Sequence, residues 1–274
     1  MDYAVEIDDL FFHHKDGTQA LKGINLRIMR GRRTVILGPN GAGKSTLLLH
    51  LNGIYLPQRG RVKVLGIEVN HKNEKKLRKI AGLVFQDPDD QVFCPTVWED
   101  VAFGPLNYNL PEEEVRKRVD EALRAVRLEG LEQKTPFHLS YGQKKRVAIA
   151  GVLALKPEIF ILDEPHAFLD PSGKAELLKI LNSLNDQGSS IIVATHDVNF
   201  AYEWAEDVVI MKNGIVLAQG GPDILADEKV IIEAELEYPL LVRLFKKLPE
   251  AECDKIPGSV DEAAEFLRQK MSTN

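Results

Sequence analysis

The chain has 274 residues, 44% of them hydrophobic, and a formal net charge of −6. This length allows one large domain or one domain with an appendage, and the acidic balance argues weakly against a general nucleic-acid binder, which would usually carry a basic face. No apolar run approaches the roughly 18 residues that cross a bilayer, and two cysteines without metal-binding spacing favour a reducing, cytoplasmic setting.

The first part of the chain is predicted to form an antiparallel β layer. Residues 3–12 alternate in part between apolar and acidic side chains, which is typical of a half-buried strand. Asp16-Gly17 is a turn signal, and residues 24–28 alternate again as a return strand. Residues 61–69 show the same alternation and are predicted to be a third strand of this layer.

A phosphate-binding loop follows an apolar strand at residues 34–37. The sequence GPNGAGKST fits G-x-x-x-x-G-K-[ST] at every fixed position, and the next residues form a helix that ends near Gly53. The residues predicted to bind ATP here are Gly38, Pro39, Asn40, Gly41, Ala42, Gly43, Lys44, Ser45 and Thr46.

The residue types of this loop suit a triphosphate. A Cβ atom at Gly41 or Gly43 would obstruct the approach of the backbone or its dihedral angles. The backbone N–H groups and the helix N-terminus then attract the phosphates. Lys44 is predicted to contact the β- and γ-phosphates, and the Ser45 hydroxyl is predicted to bind Mg²⁺.

The middle of the chain alternates between strand and helix signals. Residues 80–85 form an apolar strand that ends at Gln86, and residues 87–91 are a loop rich in Asp and Pro. A helix is predicted over residues 111–127. Ser140 and Gln143 form a capping box that opens a further helix through Ala154.

The pattern continues to a terminal hairpin. Residues 159–162 form a strand closed by Asp163 and Glu164, and a helix runs from Asp170 to about Gln187. Residues 191–195 form a strand before His196, and Asn-Gly at residues 213–214 predicts a hairpin. This alternation indicates an α/β core with a mainly parallel sheet. In such a core, functional residues lie at the carboxyl ends of strands.

Four polar residues occupy those strand ends. We expect Asp163 to hold Mg²⁺ through water and Glu164 to act as the general base. Gln86 is expected to bind Mg²⁺ and the attacking water, and His196 to sense the γ-phosphate. The alternatives are that the two acids cap a turn, that the histidine is structural and that the glutamine is only solvated.

Taken together, these motifs resemble the ATPase subunit of an ABC transporter. The resemblance covers roughly residues 3–225, with LSYGQ at residues 139–143 standing where the family has LSGGQ. FQDPDDQVF and VWEDVAFGP, within residues 85–105, are similar to cobalt/nickel and energy-coupling-factor importers, which take up metal ions or vitamins.

The resemblance implies a P-loop NTPase core over residues 1–225. It also implies an N-terminal antiparallel β layer, an inserted α-helical subdomain at about residues 88–155 and a C-terminal helical extension over residues 226–274. Two such ATPases, either a homodimer or a pair of paralogues, would face head to tail. Ser140, Gly142 and Gln143 of one would then contact the ATP of the other.

A membrane transport subunit would dock on residues 86–103, where Val92, Phe93 and Trp98 are expected to be exposed. The ATPase would lie at the cytoplasmic face of the membrane with no nucleic-acid partner. The alternatives are a soluble ABC-type ATPase that remodels nucleic acid or ribosomes, which usually carries two ATPase copies or a coiled-coil insertion, and a regulatory module without turnover.

Four residues depart from the family pattern. His14 stands where an aromatic residue, often Tyr, stacks on adenine, and Phe12 is near enough to be the alternative. His166 and Phe168 replace a common Thr and a common Gly, and Tyr141 replaces a Gly of the signature.

The C-terminal extension is predicted to contain two helices. One is expected to pack through Leu241, Leu244, Phe245 and Leu248, and a second capping box at Ser259 opens the other, which runs to about Met271. The extension would pack on its own domain or stabilise the dimer.

Overall fold

The protein is described from a computed structural model that covers residues 2–248, 253 and 256–273. The strands of the structure are β1 Tyr3–His13, β2 Gln19–Met29, β3 Arg33–Leu37, β4 Arg59–Val64, β5 Ile67–Glu68, β6 Ala81–Val84, β7 Ile159–Asp163, β8 Ser190–Thr195, β9 Asp207–Lys212 and β10 Ile215–Gly220. They form an antiparallel sheet of order β2-β1-β4-β5 and a second sheet of order β10-β9-β3-β8-β7-β6. In the second sheet β9, β3, β8, β7 and β6 are parallel, and β10 is antiparallel. The predicted α/β fold class is confirmed.

Ten α-helices occur among the described residues. They are α1 Lys44–Leu51, α2 Glu74–Ile80, α3 Val97–Asn107, α4 Glu112–Ala125, α5 Tyr141–Leu153, α6 Pro171–Asp186, α7 Val198–Trp204, α8 Glu228–Ala234, α9 Leu240–Lys246 and α10 Val260–Thr273. Helices α3, α4 and α5 pack against one another between β6 and β7 in the chain, as expected for an inserted helical unit. No helix in the described part of the chain is long and apolar enough to cross a membrane.

The second sheet is the central sheet of the protein, and its five parallel strands are buried on both faces, which explains their apolar sequences. In β3 the side chains of Val35 and Leu37 join the core beneath the helices. Ile36, between them, joins the core that faces the antiparallel sheet. Because the phosphate loop directly follows β3, which is parallel to both of its neighbours, the loop lies at the carboxyl edge of the sheet.

The structure differs from the prediction at two elements. The alternation at residues 61–69 is not one strand, because Leu65 and Gly66 have φ of +48° and +73° and turn the chain back into β5. Helix α3 was not predicted, although Thr96 and Glu99 form a reciprocal capping box at its start.

The C-terminal helices belong to the main core of the chain. Ile231, Leu241, Phe245 and Ala263 are buried in the same cluster as the strands of the central sheet. The predicted face of α9 is wrong at Leu244, which is 42% exposed, while Val242 is fully buried. At Ser259 the hydroxyl caps Glu262 N at 3.2 Å, but the Glu262 carboxylate accepts from Gly258 N instead of closing the box.

Candidate active site

The phosphate loop is held between two other segments of backbone. A Cβ atom on Gly43 would lie 2.7 Å from the carbonyl oxygen of Ala20 in β2, and φ of +97° at Gly43 independently favours glycine. A Cβ atom on Gly38 would lie 2.1 Å from the carbonyl oxygen of Met211 in β9. At Gly41 the space is open, and only φ of +78° favours glycine. Close packing therefore fixes the two ends of the loop, a constraint that the motif alone does not reveal.

Lys44 lies inside this loop. Its Nζ donates to the carbonyl oxygens of Gly38 at 2.6 Å and Pro39 at 3.2 Å, and the residue is 6% exposed. Burial lowers the pKa of the Lys44 ammonium, and the charges of Glu164 and Asp163 oppose that shift. Two backbone carbonyl groups therefore hold the Lys44 side chain inside the loop.

Asp163 closes the base of the same site at the end of β7. Burial raises the pKa of the Asp163 carboxyl, and a hydrogen bond from Ser45 opposes the shift. Its Oδ1 is buried without a hydrogen-bond partner among the described residues, which is costly unless a cation or donor completes the site. No group of three or more His, Cys, Asp or Glu side chains suited to a metal occurs in the part of the chain that the structure describes.

Glu164, the next residue, is held at both carboxylate oxygens. Its Oε1 lies 2.7 Å from Nδ1 of His196, and its Oε2 accepts from the Thr195 hydroxyl at 2.9 Å. The residue is 7% exposed and has φ of +42°, a strained conformation for a side chain of this size. Thr195 was not among the predicted site residues. Its position at the end of β8, directly before His196, is the signal that could have identified it.

Gln86 faces the same cavity as Ser45 and Asp163, which has a volume of about 860 Å³. The side chain of Gln86 is exposed, but its backbone is held firmly. Lys145 Nζ donates to the carbonyl oxygens of Phe85 at 2.8 Å and Gln86 at 2.7 Å. Lys145 is fully buried, and burial lowers its pKa to about 8. The structure therefore brings together the residues predicted for the metal, the base and the glutamine.

The signature residues lie at the start of α5. Ser140 and Gln143 form the predicted capping box, with Gln143 N donating to Ser140 Oγ at 3.3 Å and Ser140 N donating to Gln143 Oε1 at 3.0 Å. Ser140, Gly142 and Gln143 line a separate cavity of about 400 Å³, which does not include Ser45 or Asp163. Within one chain, then, the signature residues are not brought to the phosphate loop.

The two candidates for the adenine contact differ in their surroundings. Phe12 is 8% exposed and its ring stacks on Tyr55 at a centroid distance of 4.7 Å. His14 is half-buried, and its Nε2 lies 3.3 Å from the Thr46 hydroxyl at the start of α1. The Phe12 ring is thus buried in the core, whereas His14 lies beside the phosphate loop with part of its ring accessible.

Of the three apolar residues after Gln86 that were expected to be exposed, only Phe93 is. Val92 is 7% exposed, so the expectation for it is wrong: the short helical turn at Pro88–Asp90 directs this side chain into the core. Trp98 is half-buried and packs on the same core. Phe93 is 59% exposed and its ring meets that of Phe103, which is 47% exposed, edge to face at 4.9 Å. The exposed apolar pair is therefore Phe93 and Phe103.

His166 and Phe168 occupy the turn after Glu164. The His166 ring is 9% exposed, has no hydrogen-bond partner on either nitrogen among the described residues, and packs on Phe200 at 4.0 Å. Burial lowers its pKa to about 4. Phe168 is 79% exposed with φ of +61°.

Comparison with known proteins identifies the family of this chain. The ABC transporter family profile matches residues 21–167. The energy-coupling factor transporter ATP-binding protein EcfA of Carboxydothermus hydrogenoformans is 51% identical over 269 residues, which cover 98% of this chain and 99% of the relative.

Two solved structures are also similar. cbiO1 from Clostridium perfringens, part of the ABC transporter complex cbiONQ, has a TM-score of 0.76 and 46% identity over 90% of this chain and all of that chain. A dimeric ATP-binding cassette bound to ADP and Pi has a TM-score of 0.71 and 33% identity over 80% of this chain and 98% of that chain. With a phosphate loop, a strand-end acid pair and these relatives, the chain belongs to the ABC transporter family and is an ATP-hydrolysing ATPase.

Proposed function

We propose that this chain is the ATP-hydrolysing subunit of an energy-coupling-factor type importer of metal ions or vitamins. It works as a head-to-tail dimer with a second copy or a related ATPase, and it drives uptake through separate membrane subunits at the cytoplasmic face. The observation that carries the proposal is the convergence of Ser45, Gln86 and Asp163 on one cavity beside the doubly held Glu164. The energy-coupling-factor relatives support the importer assignment.

The donor set of this cavity fits Mg²⁺. A hydroxyl, an amide oxygen and a carboxylate are the oxygen ligands that this ion accepts, with substrate phosphates and water filling the other positions. The unpartnered Oδ1 of Asp163 fits the same interpretation. Ser45, Gln86 and Asp163 would hold the ion, whose chemistry when bound is to offset the charge that develops on the β- and γ-phosphates.

The remaining residues position ATP and activate water. Lys44 and the backbone N–H groups of Gly38 and residues 40–46 bind the phosphates, and His14 contacts the adenine ring. Glu164 accepts a proton from the attacking water. Thr195 and His196 hold the two oxygens of Glu164, which fixes the direction of the lone pair that takes the proton. His196 would in addition contact the γ-phosphate.

A second chain completes the site. Ser140, Gly142 and Gln143 lie in a cavity separate from the phosphate loop of their own chain, so they are free to serve a neighbouring one. The N-terminus of α5 gives that surface a positive potential suited to a phosphate. ATP between the two chains would hold them together, and its hydrolysis would release them.

The substitution Glu164→Gln tests the assignment of the base. We expect ATP binding to persist, turnover to fall by about 10²-fold or more, and dimers to accumulate in ATP. Glu158→Gln is the control, because Glu158 precedes the same strand at its opposite end and pairs with Arg30 at 2.6 Å. If Glu164→Gln hydrolyses ATP at the parent rate, the assignment of Glu164 is wrong.

A mixing experiment tests the composite site. Lys44→Ala and Ser140→Arg chains are each expected to be inactive alone. In a mixed dimer both lesions fall at one site, and the other site keeps an intact Lys44 and an intact Ser140. Mixing should therefore restore part of the hydrolysis. No recovery from chains that still form mixed dimers would contradict the head-to-tail arrangement.

A further inference from the structure

Two aromatic residues form the wall between the two cavities of the site. Tyr141 and Phe168 both line the cavity of Ser45, Gln86 and Asp163, and both also line the cavity of Ser140, Gly142 and Gln143. Their rings meet edge to face with centroids 5.4 Å apart. This pair is the point at which the surface for one chain's own nucleotide meets the surface for the partner's nucleotide.

Tyr141 also contacts the backbone of Gln86. Its hydroxyl donates to the Gln86 carbonyl oxygen at 3.2 Å, and the same oxygen accepts from Lys145. Because the Gln86 side chain is exposed, its amide can be positioned only as well as its backbone is held. Tyr141 is the first residue of α5, next to Ser140, whereas Lys145 is buried one turn further along the same helix. A shift of the helix end would therefore move the Gln86 backbone through Tyr141.

Phe168 connects this contact to the segment of the general base. It lies in the turn that follows Glu164, in which Ala167 N donates to the Glu164 carbonyl oxygen at 3.1 Å and Leu169 N donates to the His166 carbonyl oxygen at 3.2 Å. A phenylalanine that is 79% exposed at φ of +61° is unfavourable in both exposure and backbone conformation. Such strain at a functional site is a reason to look for a role, and the contact with Tyr141 supplies one.

We propose that Tyr141 and Phe168 are a pair of positioning residues that tie Gln86 of one ATP site to the signature helix that serves the other. The Tyr141 hydroxyl holds the Gln86 backbone, and the Phe168 ring holds the Tyr141 ring in the rotamer that makes this bond. This inference rests on the proposed head-to-tail dimer. Its consequence is that the pair affects the turnover of bound ATP and leaves ATP binding unchanged.

The test uses the full-length dimer and compares Tyr141→Phe, Phe168→Ala, the double variant and Phe168→Trp. Tyr141→Phe keeps the ring and removes one hydrogen bond, so kcat should fall about two- to tenfold while KM for ATP and ATP-dependent dimerisation stay within about twofold. Phe168→Ala should lower kcat to a similar extent, and Phe168→Trp, which keeps a ring, should restore it. The double variant should be no slower than the slower single variant, because both changes remove the same restraint.

Phe137→Ala is the matched control, because Phe137 is 73% exposed in the loop before α5 and lines neither cavity. Thermal unfolding of every variant separates lost activity from lost folding. Parental kcat in Tyr141→Phe and Phe168→Ala, multiplicative losses in the double variant, or a loss that appears only in KM would each overturn the inference. Failure of the proposed function itself would look different, because the parent chain would then show no ATP-dependent dimer.

Discussion

The proposed docking of a membrane subunit gives the sharpest prediction, because the structure shows which apolar side chains after Gln86 are exposed. Phe93 and Phe103 are 59% and 47% exposed, and they border a groove of about 340 Å³ whose walls include Ile54 and Gln91. Gln91 links this groove to the active site: its Oε1 accepts from Phe85 N at 3.0 Å, one residue before Gln86. A docked apolar helix would therefore sense movement of the Gln86 segment.

The magnitude follows from the area that docking would cover. An aromatic side chain carries roughly 200 Å² of surface, so at these exposures the pair leaves about 200 Å² for a partner. At about 25 cal/mol per Å², full coverage contributes at most about 5 kcal/mol to binding. Replacing one ring by a carboxylate removes about half of that, which corresponds to a loss of affinity of about 50- to 100-fold.

The assay is co-purification of the membrane subunit with tagged Phe93→Asp and Phe103→Asp chains, together with substrate uptake by cells. We expect both variants to lose assembly and uptake while the isolated dimer keeps its basal ATPase. Ile232→Asp is the control, because Ile232 is 67% exposed on α8, far along the chain from this groove. Val92→Glu is unsuitable as a test of docking, because a charge at this buried position would unfold the chain locally.

The reasoning fails if the Phe93→Asp and Phe103→Asp double variant still assembles with the membrane subunit and transports substrate at the parent rate. It also fails if the parent chain is recovered with ribosomes or nucleic acid and never with a membrane complex. The first result would move the docking site to another surface, and the second would contradict the importer assignment.

Two further predictions follow from side chains near the site. His14→Ala should weaken ATP binding, measured by titration, with little change in thermal stability. Phe12→Ala should instead lower the free energy of unfolding by about 3–5 kcal/mol, because Phe12 is buried against Tyr55. Equal ATP affinity of His14→Ala and the parent would contradict the adenine assignment. His166→Leu should reduce the decrease in the free energy of unfolding that occurs when the pH is lowered. The folded-state pKa of His166 is about 4 against about 6.5 unfolded, so the unfolded chain binds the extra proton and stability falls as pH drops from about 6.5 to 4, by about 2 kcal/mol at pH 5. Urea unfolding at pH 7.5 and pH 5 measures this difference in the free energy of unfolding. If His166→Leu loses as much stability between the two pH values as the parent, the prediction is wrong.

Local patterns in the sequence were sufficient for the phosphate loop, the parallel core and the helix that begins at Ser140. Each depends on short-range physics: glycine at positive φ, apolar runs that fill a buried strand, and a hydroxyl that caps its own helix. The order of the motifs was sufficient to identify the family. Asp163 and Glu164 were predicted as site residues from the same chain order, since they follow a buried parallel strand and functional residues lie at the carboxyl ends of such strands.

Tertiary structure decided what depends on residues far apart in the chain. Thr195 and His196 hold Glu164 across 31 and 32 residues, and Tyr141 reaches Gln86 across 55. Val92 and Phe93 are both apolar and both follow a loop, so the local sequence does not show that Val92 is buried and Phe93 exposed. Which of the two faces the core depends on the turn at Pro88–Asp90 and the helices above it, and only the packed fold specifies that direction.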